Sequence, residues 1–250
     1  SGASLSSLNS IDAGGAKRPP SQVGKIAQQF KQASPATGFG MTETNALGLR
    51  LSGKDYIDHP GAAGLLIPPV QTLKIVADDG SDAKTGAVGE LALKSAANMR
   101  GYLNKPEQTR DALREGWMFT GDLAYQDAEG LVYIVGRKKD MIIRGGENIA
   151  CPEVEGALHQ IEGILEASVF SIPHERLGEA VGAAVYASVT TSLFELQAAL
   201  EQTLDRFKIP EKIWFYPEPL PRGATEKIDK RGIREACLGG AVASCGPSDN

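Results

Sequence analysis

At 250 residues, with 42% hydrophobic and 23% charged positions, the chain has an ordinary globular composition and enough apolar side chains for one large or two modest cores. Its formal net charge of -5 gives no broad electrostatic reason to bind nucleic acid or an anionic membrane surface, so any anionic ligand must be held locally. Cys151, Cys237 and Cys245 lack the spacing of a disulfide framework or zinc site, no apolar run is long enough to span a bilayer, and no leader pattern opens the sequence, so a cytoplasmic location is expected.

Along the chain, a helix is expected around Val23 to Phe30, with Gly14-Gly15 before it and Gly38-Phe39-Gly40 after it, as in a piece of an α/β layer. Strand-like runs dominate from Gly48 to Ile134. Leu73 to Ala77 ends in the turn Asp78-Asp79-Gly80, Glu90 to Leu93 follows, and Leu123 to Tyr125 and Leu131 to Val135 flank the hairpin signal Asp127-Ala128-Glu129-Gly130. The simplest packing is an antiparallel, barrel-like β subdomain. One helix interrupts it, with Pro106 in its first turn and a stop at Gly116.

After Gly136 the polar run Arg137-Lys138-Lys139-Asp140 separates this part from one that alternates helix and strand, and its shortness suits a hinge. Pro152 opens a helix with Val154, Ala157, Leu158 and Ile161 on one face; Ile164 to Ile172 and Ala180 to Val189 are expected strands. Ser192 and Glu195 form a capping box before a helix carrying Leu193, Leu196, Leu200 and Leu204, and Lys212 to Tyr216 is a third strand. The fold class expected is α/β followed by α+β: part of a large domain over residues 1–136, a small mobile domain over 137–238, and a flexible tail over 239–250.

Four segments carry candidate chemistry. Gly38 to Glu43 joins glycines that admit a ligand to the backbone, a hydroxyl suited to phosphate and a carboxylate suited to Mg²⁺; a loop before a helix capped by Thr42 or Thr44 explains the same residues. In Trp117 to Leu123, Asp122 offers two acceptor oxygens to a ribose diol, or caps its own turn. Gly136 to Ile149 sets Arg137 among charges and Gly145-Gly146 after an apolar strand, where a narrow ligand can lie against the main chain; a solvated charge run and a hairpin are the bland alternative. Lys227 lies in a mobile-looking loop before an Asp-capped helix, and can stabilise negative charge if carried to a site.

In this order, the segments resemble the adenylate-forming ligases, the superfamily of acyl-CoA synthetases, firefly luciferase and nonribosomal peptide adenylation domains. The resemblance runs from Gly14 to about Glu235 and is to the carboxy-terminal half of such enzymes. It implies that Gly14, Gly15 and Ala16 line an adenine pocket and that Gly38, Phe39, Gly40 and Met41 run along the acyl-adenylate. Thr42 then contacts phosphate, Glu43 is the magnesium-associated carboxylate, Asp122 binds the ribose and Arg137 the nucleotide. Lys139 is the hinge, Lys227 the lysine of the first half-reaction, and Gly145, Gly146 and Glu147 face the pantetheine of CoA.

The implied reaction joins a carboxylic acid, ATP and CoA with Mg²⁺. Gly136 to Glu155 and Pro173 to Glu179 look most like the fatty-acid type. The alternatives are transfer of the acyl group to a carrier protein, and a split, non-catalytic binding module. Three departures stand out: Lys17-Arg18 follows Gly14-Gly15-Ala16 in place of an apolar pair, Glu226 replaces the family's usual Gly before Lys227, and a Ser/Thr/Gly-rich phosphate loop is missing. No ligase turnover is therefore expected from these residues alone, and self-association through apolar surface in the first part is expected.

Overall fold

The computed structural model describes residues 5–14, 18, 20–224, 226–242 and 244–245. The chain divides into two compact units, one ending at Lys138 and the other beginning at Lys139. Arg137 and Lys138 thus belong with the first unit, two residues beyond the boundary expected at 136. The reason is electrostatic and local: Arg137 pairs with Asp122, and Lys138 with Glu90 at 3.2 Å.

In the first unit, β1 (Ser10–Ala13), α1 (Pro20–Gln29) and β2 (Ser34–Gly40) form a crossover, with β1 and β2 parallel. β3 (Gly48–Ser52) returns antiparallel to β2, α2 (Gly53–Asp58) follows, and β4 (Leu65–Leu66) closes the first sheet in the order β1-β2-β3-β4. β3 and β4 were expected in the antiparallel subdomain. They join this mixed sheet instead, because Gly40 and Gly48 let β3 fold straight back on β2.

The second sheet contains β5 (Gln71–Val76), β6 (Gly89–Ser95), β7 (Leu113–Arg114), β8 (Trp117–Gln126) and β9 (Val132–Arg137), all antiparallel, with α3 (Pro106–Ala112) leading into β7. The helix stops early because Glu115 and Gly116 take positive φ angles of 52° and 81° and turn β7 into β8. Leu49 from the first sheet packs with Ile75, Leu91, Leu93, Ala124 and Val132 from the second, and Gly64 bridges to Val132, so the sheets share one core. Leu91 and Leu93 are fully buried, each contributing roughly 1.5–3 kcal/mol by the usual area relation.

The second unit has β10 (Met141–Arg144), β11 (Glu147–Ala150), α4 (Cys151–Leu158), β12 (Ile164–His174), β13 (Gly178–Ala187), α5 (Leu193–Leu200), β14 (Lys212–Tyr216), α6 (Lys230–Leu238) and β15 (Ser244–Cys245). β13 is the centre of its sheet, antiparallel to β12 and parallel to β14. Alternate residues explain its continuous apolar run. Val181, Ala183 and Val185 face a core with Val154, Leu158, Leu196 and Leu200, while Ala180 and Ala184 face another with Trp214, Ile233 and Cys237. Ser244 and Cys245, in the stretch expected to be a flexible tail, pair with Trp214 and Ile213 at the sheet edge. Among the described residues, no helix is long and apolar enough to cross a membrane.

Candidate nucleotide site

The turn between β2 and β3 is built on close backbone approach. A Cβ on Gly48 would lie 2.0 Å from the Phe39 carbonyl oxygen, and one on Gly40 would lie 2.4 Å from that of Ala46. Neither position admits a side chain. Asn45 and Ala46 complete the turn with positive φ angles of 52° and 59°. The buried Thr44 hydroxyl does the local work, accepting from the Met41 N–H at 3.3 Å and donating to the Leu47 carbonyl at 2.6 Å. Thr42, the other candidate cap, is exposed and is not spent on the turn.

Glu43 follows Thr42 and is tied to a distant segment. Its carbonyl accepts the Met99 N–H at 2.7 Å, and its Oε1 accepts the Tyr102 hydroxyl at 2.8 Å. Tyr102 is itself fixed from behind, its N–H donating to Thr109 Oγ1 at 2.9 Å. Burial, then the hydrogen bond to Glu43 and its charge, push the Tyr102 phenol above its ordinary value, while Arg137 opposes them. The Tyr102 phenol therefore stays protonated and donating near neutral pH.

Asp122 and Arg137 stand opposite each other in the β8–β9 register, and Arg137 Nε donates to Asp122 Oδ1 at 2.9 Å. Asp122 is buried, whereas Arg137 is half exposed. The strand is bent to aim them: Gly121 has φ of 72°, Thr120 Oγ1 donates to the Leu91 carbonyl at 2.8 Å, and the Gly121 N–H donates to Glu90 Oε1 at 3.2 Å.

Gly14 lies one residue past the β1–β2 pair Ala13–Thr37, and its Cβ position is 4.0 Å from the Gly38 carbonyl. Gly15 and Ala16 lie outside the described residues. The Phe39 side chain packs on the shared core, so only its main chain is left to face a ligand along β2. Gly38 to Glu43 leads to Tyr102, Tyr102 feels Arg137, and Arg137 bonds Asp122, so these residues belong to one locus of the first unit. Its donors and acceptors are of the types a nucleotide needs: a paired Asp and Arg suited to hydroxyls, and a hydroxyl and a carboxylate suited to a phosphate and its cation.

The residues also fit Mg²⁺. Among the described residues no group of three or more His, Cys, Asp or Glu side chains could hold a metal. Glu43 offers one carboxylate with Oε1 already bonded to Tyr102, the usual situation of a cation that takes its other ligands from phosphate and water.

The remaining candidates lie in the second unit. Lys139 is its first residue, in a 3₁₀ turn over Lys138–Asp140. Gly145 and Gly146, with φ of 59° and 95°, make the tight β10–β11 turn, the Gly145 N–H donates to the Leu177 carbonyl at 3.0 Å, and Glu147 is exposed beside them. In the loop carrying Lys227, expected to be mobile, the described residues make anchoring contacts. Arg222 bonds Glu166 and, at 2.8 Å, the Glu226 carbonyl, while the Gly223 N–H reaches the Lys227 carbonyl at 2.8 Å. The Lys227 side chain remains exposed. Glu166 sits near the start of β12 and Leu177 beyond its end, so the two candidate surfaces are anchored roughly 25 Å apart along that strand.

Comparison with known proteins decides the family. Residues 1–103 match the model described as AMP-binding enzyme, and residues 153–227 match that of the AMP-binding enzyme C-terminal domain. The chain belongs to the adenylate-forming AMP-binding enzymes. It is 35% identical to the indoleacetate–CoA ligase of Aromatoleum aromaticum over 93% of this chain and 45% of that protein. It is 36% identical to a long-chain-fatty-acid–CoA ligase of Bacillus subtilis over 92% and 41%. Among solved structures, o-succinylbenzoate CoA synthetase from Bacillus subtilis, in complex with its acyl-adenylate, matches with a TM-score of 0.84 and 29% identity, covering 91% of this chain and 46% of that one. The same synthetase has been solved with ATP and a magnesium ion. The chain thus spans about half the length of the relatives it matches.

Tyr102 is the residue of this locus that sequence reasoning passed over. It is 59 positions from Glu43, and only Gly101, whose φ of 153° marks a special turn, hinted at the site.

Proposed function

We propose that this chain carries the nucleotide-facing and CoA-facing parts of an AMP-forming acyl-CoA synthetase. A carboxylate oxygen of the acid attacks the α-phosphorus of ATP and pyrophosphate leaves; the CoA thiol then attacks the acyl carbon and AMP leaves. The observation that carries this reading is the Asp122–Arg137 pair held opposite each other, with the Arg137 charge acting on the Tyr102 hydroxyl that bonds Glu43.

In this reading Asp122 accepts from the ribose hydroxyls, Arg137 donates to the nucleotide, Thr42 donates to phosphate and Glu43 holds Mg²⁺. When bound, Mg²⁺ offsets charge on the phosphates. Lys227 stabilises negative charge around the α-phosphate in the first step, and Gly145, Gly146 and Glu147 receive pantetheine in the second. Their anchorage toward opposite ends of β12 supports two successive roles, exchanged by rotation near Lys139. The stretches Gly136 to Glu155 and Pro173 to Glu179 favour acids of the fatty type, and the names of the relatives include aryl and alkyl acids alike.

The sequence contains no Ser/Thr/Gly-rich phosphate loop, so these 250 residues are expected to bind AMP without releasing pyrophosphate from ATP and a fatty acid. Isothermal titration with AMP, followed by competition with a non-hydrolysable acyl-sulfamoyl adenosine, tests the reading. Binding of both at one site supports it, and binding of neither rejects it.

A further inference from the structure

Resting on that reading, we propose that Tyr102 is a positioning residue for the metal-associated carboxylate: its hydroxyl fixes Glu43 through Oε1 and leaves Oε2 turned to the cation. The geometry is direct. The Tyr102 hydroxyl donates to Glu43 Oε1 at 2.8 Å, and among the described residues no hydrogen bond or ion pair goes to Oε2.

The scaffold around this contact is rigid on both sides. On the Glu43 side, the Thr44 hydroxyl locks the turn, and the Asn45 amide donates to the Ala97 carbonyl at 3.3 Å. On the Tyr102 side, Thr109 Oγ1 accepts the Tyr102 N–H and donates to the Lys105 carbonyl at 2.8 Å. A Cβ on Gly101 would lie 2.8 Å from Thr109 Cγ2, so glycine is what lets the segment press against α3. Together with the Met99 N–H on the Glu43 carbonyl, three polar links join residues 97–102 to residues 43–45, and Tyr102 is the one that reaches the carboxylate.

The choice of a phenol has a chemical consequence. A lysine or arginine there would neutralise Glu43 and compete with a cation for it. A neutral hydroxyl fixes one oxygen and leaves the full negative charge on the carboxylate. Glu43 then meets a cation already oriented, without paying rotamer entropy at that moment.

The test is a double-mutant cycle on the 250-residue chain, reading ATP affinity by calorimetry with and without Mg²⁺, and AMP affinity without metal. Tyr102→Phe keeps the ring and removes the hydroxyl. It is expected to lower the Mg²⁺-dependent gain in ATP affinity roughly 10-fold, as for loss of a hydrogen bond to a charged group, and to leave metal-free AMP affinity unchanged. In a Glu43→Gln background the same substitution is expected to add nothing, which a merely structural role for the hydroxyl would not produce. If Tyr102→Phe keeps the full Mg²⁺-dependent gain while AMP still binds, the role given to Tyr102 is wrong and the nucleotide site survives. If the unmodified chain binds neither AMP nor Mg²⁺-ATP, both are wrong.

Discussion

Asp122 and Arg137 face each other across neighbouring strands and are joined by a 2.9 Å bond from Nε to Oδ1. Their alignment depends on the irregularities of β8, where Gly121 takes φ of 72° and the ladder shifts between Leu123 and Ala124. A regular strand would carry Asp122 in a different direction, since successive side chains alternate between faces.

The glycines that shape the site are expected to fail in distinguishable ways. Gly48→Ala drives a Cβ to 2.0 Å from a backbone oxygen, so it should cost several kcal/mol, roughly 3–4, and broaden the unfolding transition. Gly121→Ala meets nothing within 4 Å, so its cost is that of the left-handed backbone alone, about 1–2 kcal/mol. Urea unfolding of the two variants separates a clash from a conformational cost; equal losses would contradict this account.

Glu226 occupies a left-handed backbone position, φ 59°, directly before Lys227. Glu226→Gly should raise the stability of the second unit by about 1 kcal/mol, while Glu226→Ala should bring no gain. Thermal unfolding checks both. The Arg222 bond goes to the main-chain carbonyl and is kept in every variant, so a glycine variant no more stable than the parent would contradict the conformational cost assigned to Glu226.

The Cys151 thiol is buried and pushed up from 9.0 to about 12, chiefly by burial, with nearby Lys230 opposing and Glu155 and Asp140 reinforcing. Because the folded value lies above the unfolded one, its share of stability is intact below pH 9 and is lost as pH rises from about 9 toward 12. Cys151→Ala should flatten the decline in urea midpoint over that alkaline window. Native Cys151 should also resist thiol reagents at neutral pH; rapid labelling without unfolding would contradict the burial argument.

What was legible in the sequence was local. The Asp127 to Gly130 hairpin is made by Asp127 Oδ1 accepting from Glu129 and Leu131 N–H groups, and the Ser192–Glu195 box caps α5, both within a few residues. The same holds for the cap on α6, where Asp229 accepts the Gly232 N–H at 3.1 Å. The misreadings involve strand pairings that residue type and spacing do not fix. Assigning β3 to the first sheet required the Gly40–Gly48 approach, and β15 was missed because, among the described residues, it pairs with β14, some thirty positions earlier.

The site divides in the same way. Asp122, Arg137, Thr42 and Glu43 were visible as residue types next to glycines, while their convergence depends on register and on the contact from Tyr102. Thr42 and Thr44 could not be separated by composition; burial assigns the turn to Thr44 and leaves Thr42 exposed.

The central claim is that Asp122 reads a ribose diol. Calorimetric titration of the chain and of Asp122→Asn with AMP and with 2′,3′-dideoxy-AMP tests it most directly. The parent is expected to prefer AMP by about 10- to 100-fold, as for hydrogen bonds to a charged carboxylate, and the variant to lose most of that preference. A parent chain that binds both nucleotides equally, or an Asn variant that discriminates as well as the parent, would contradict it.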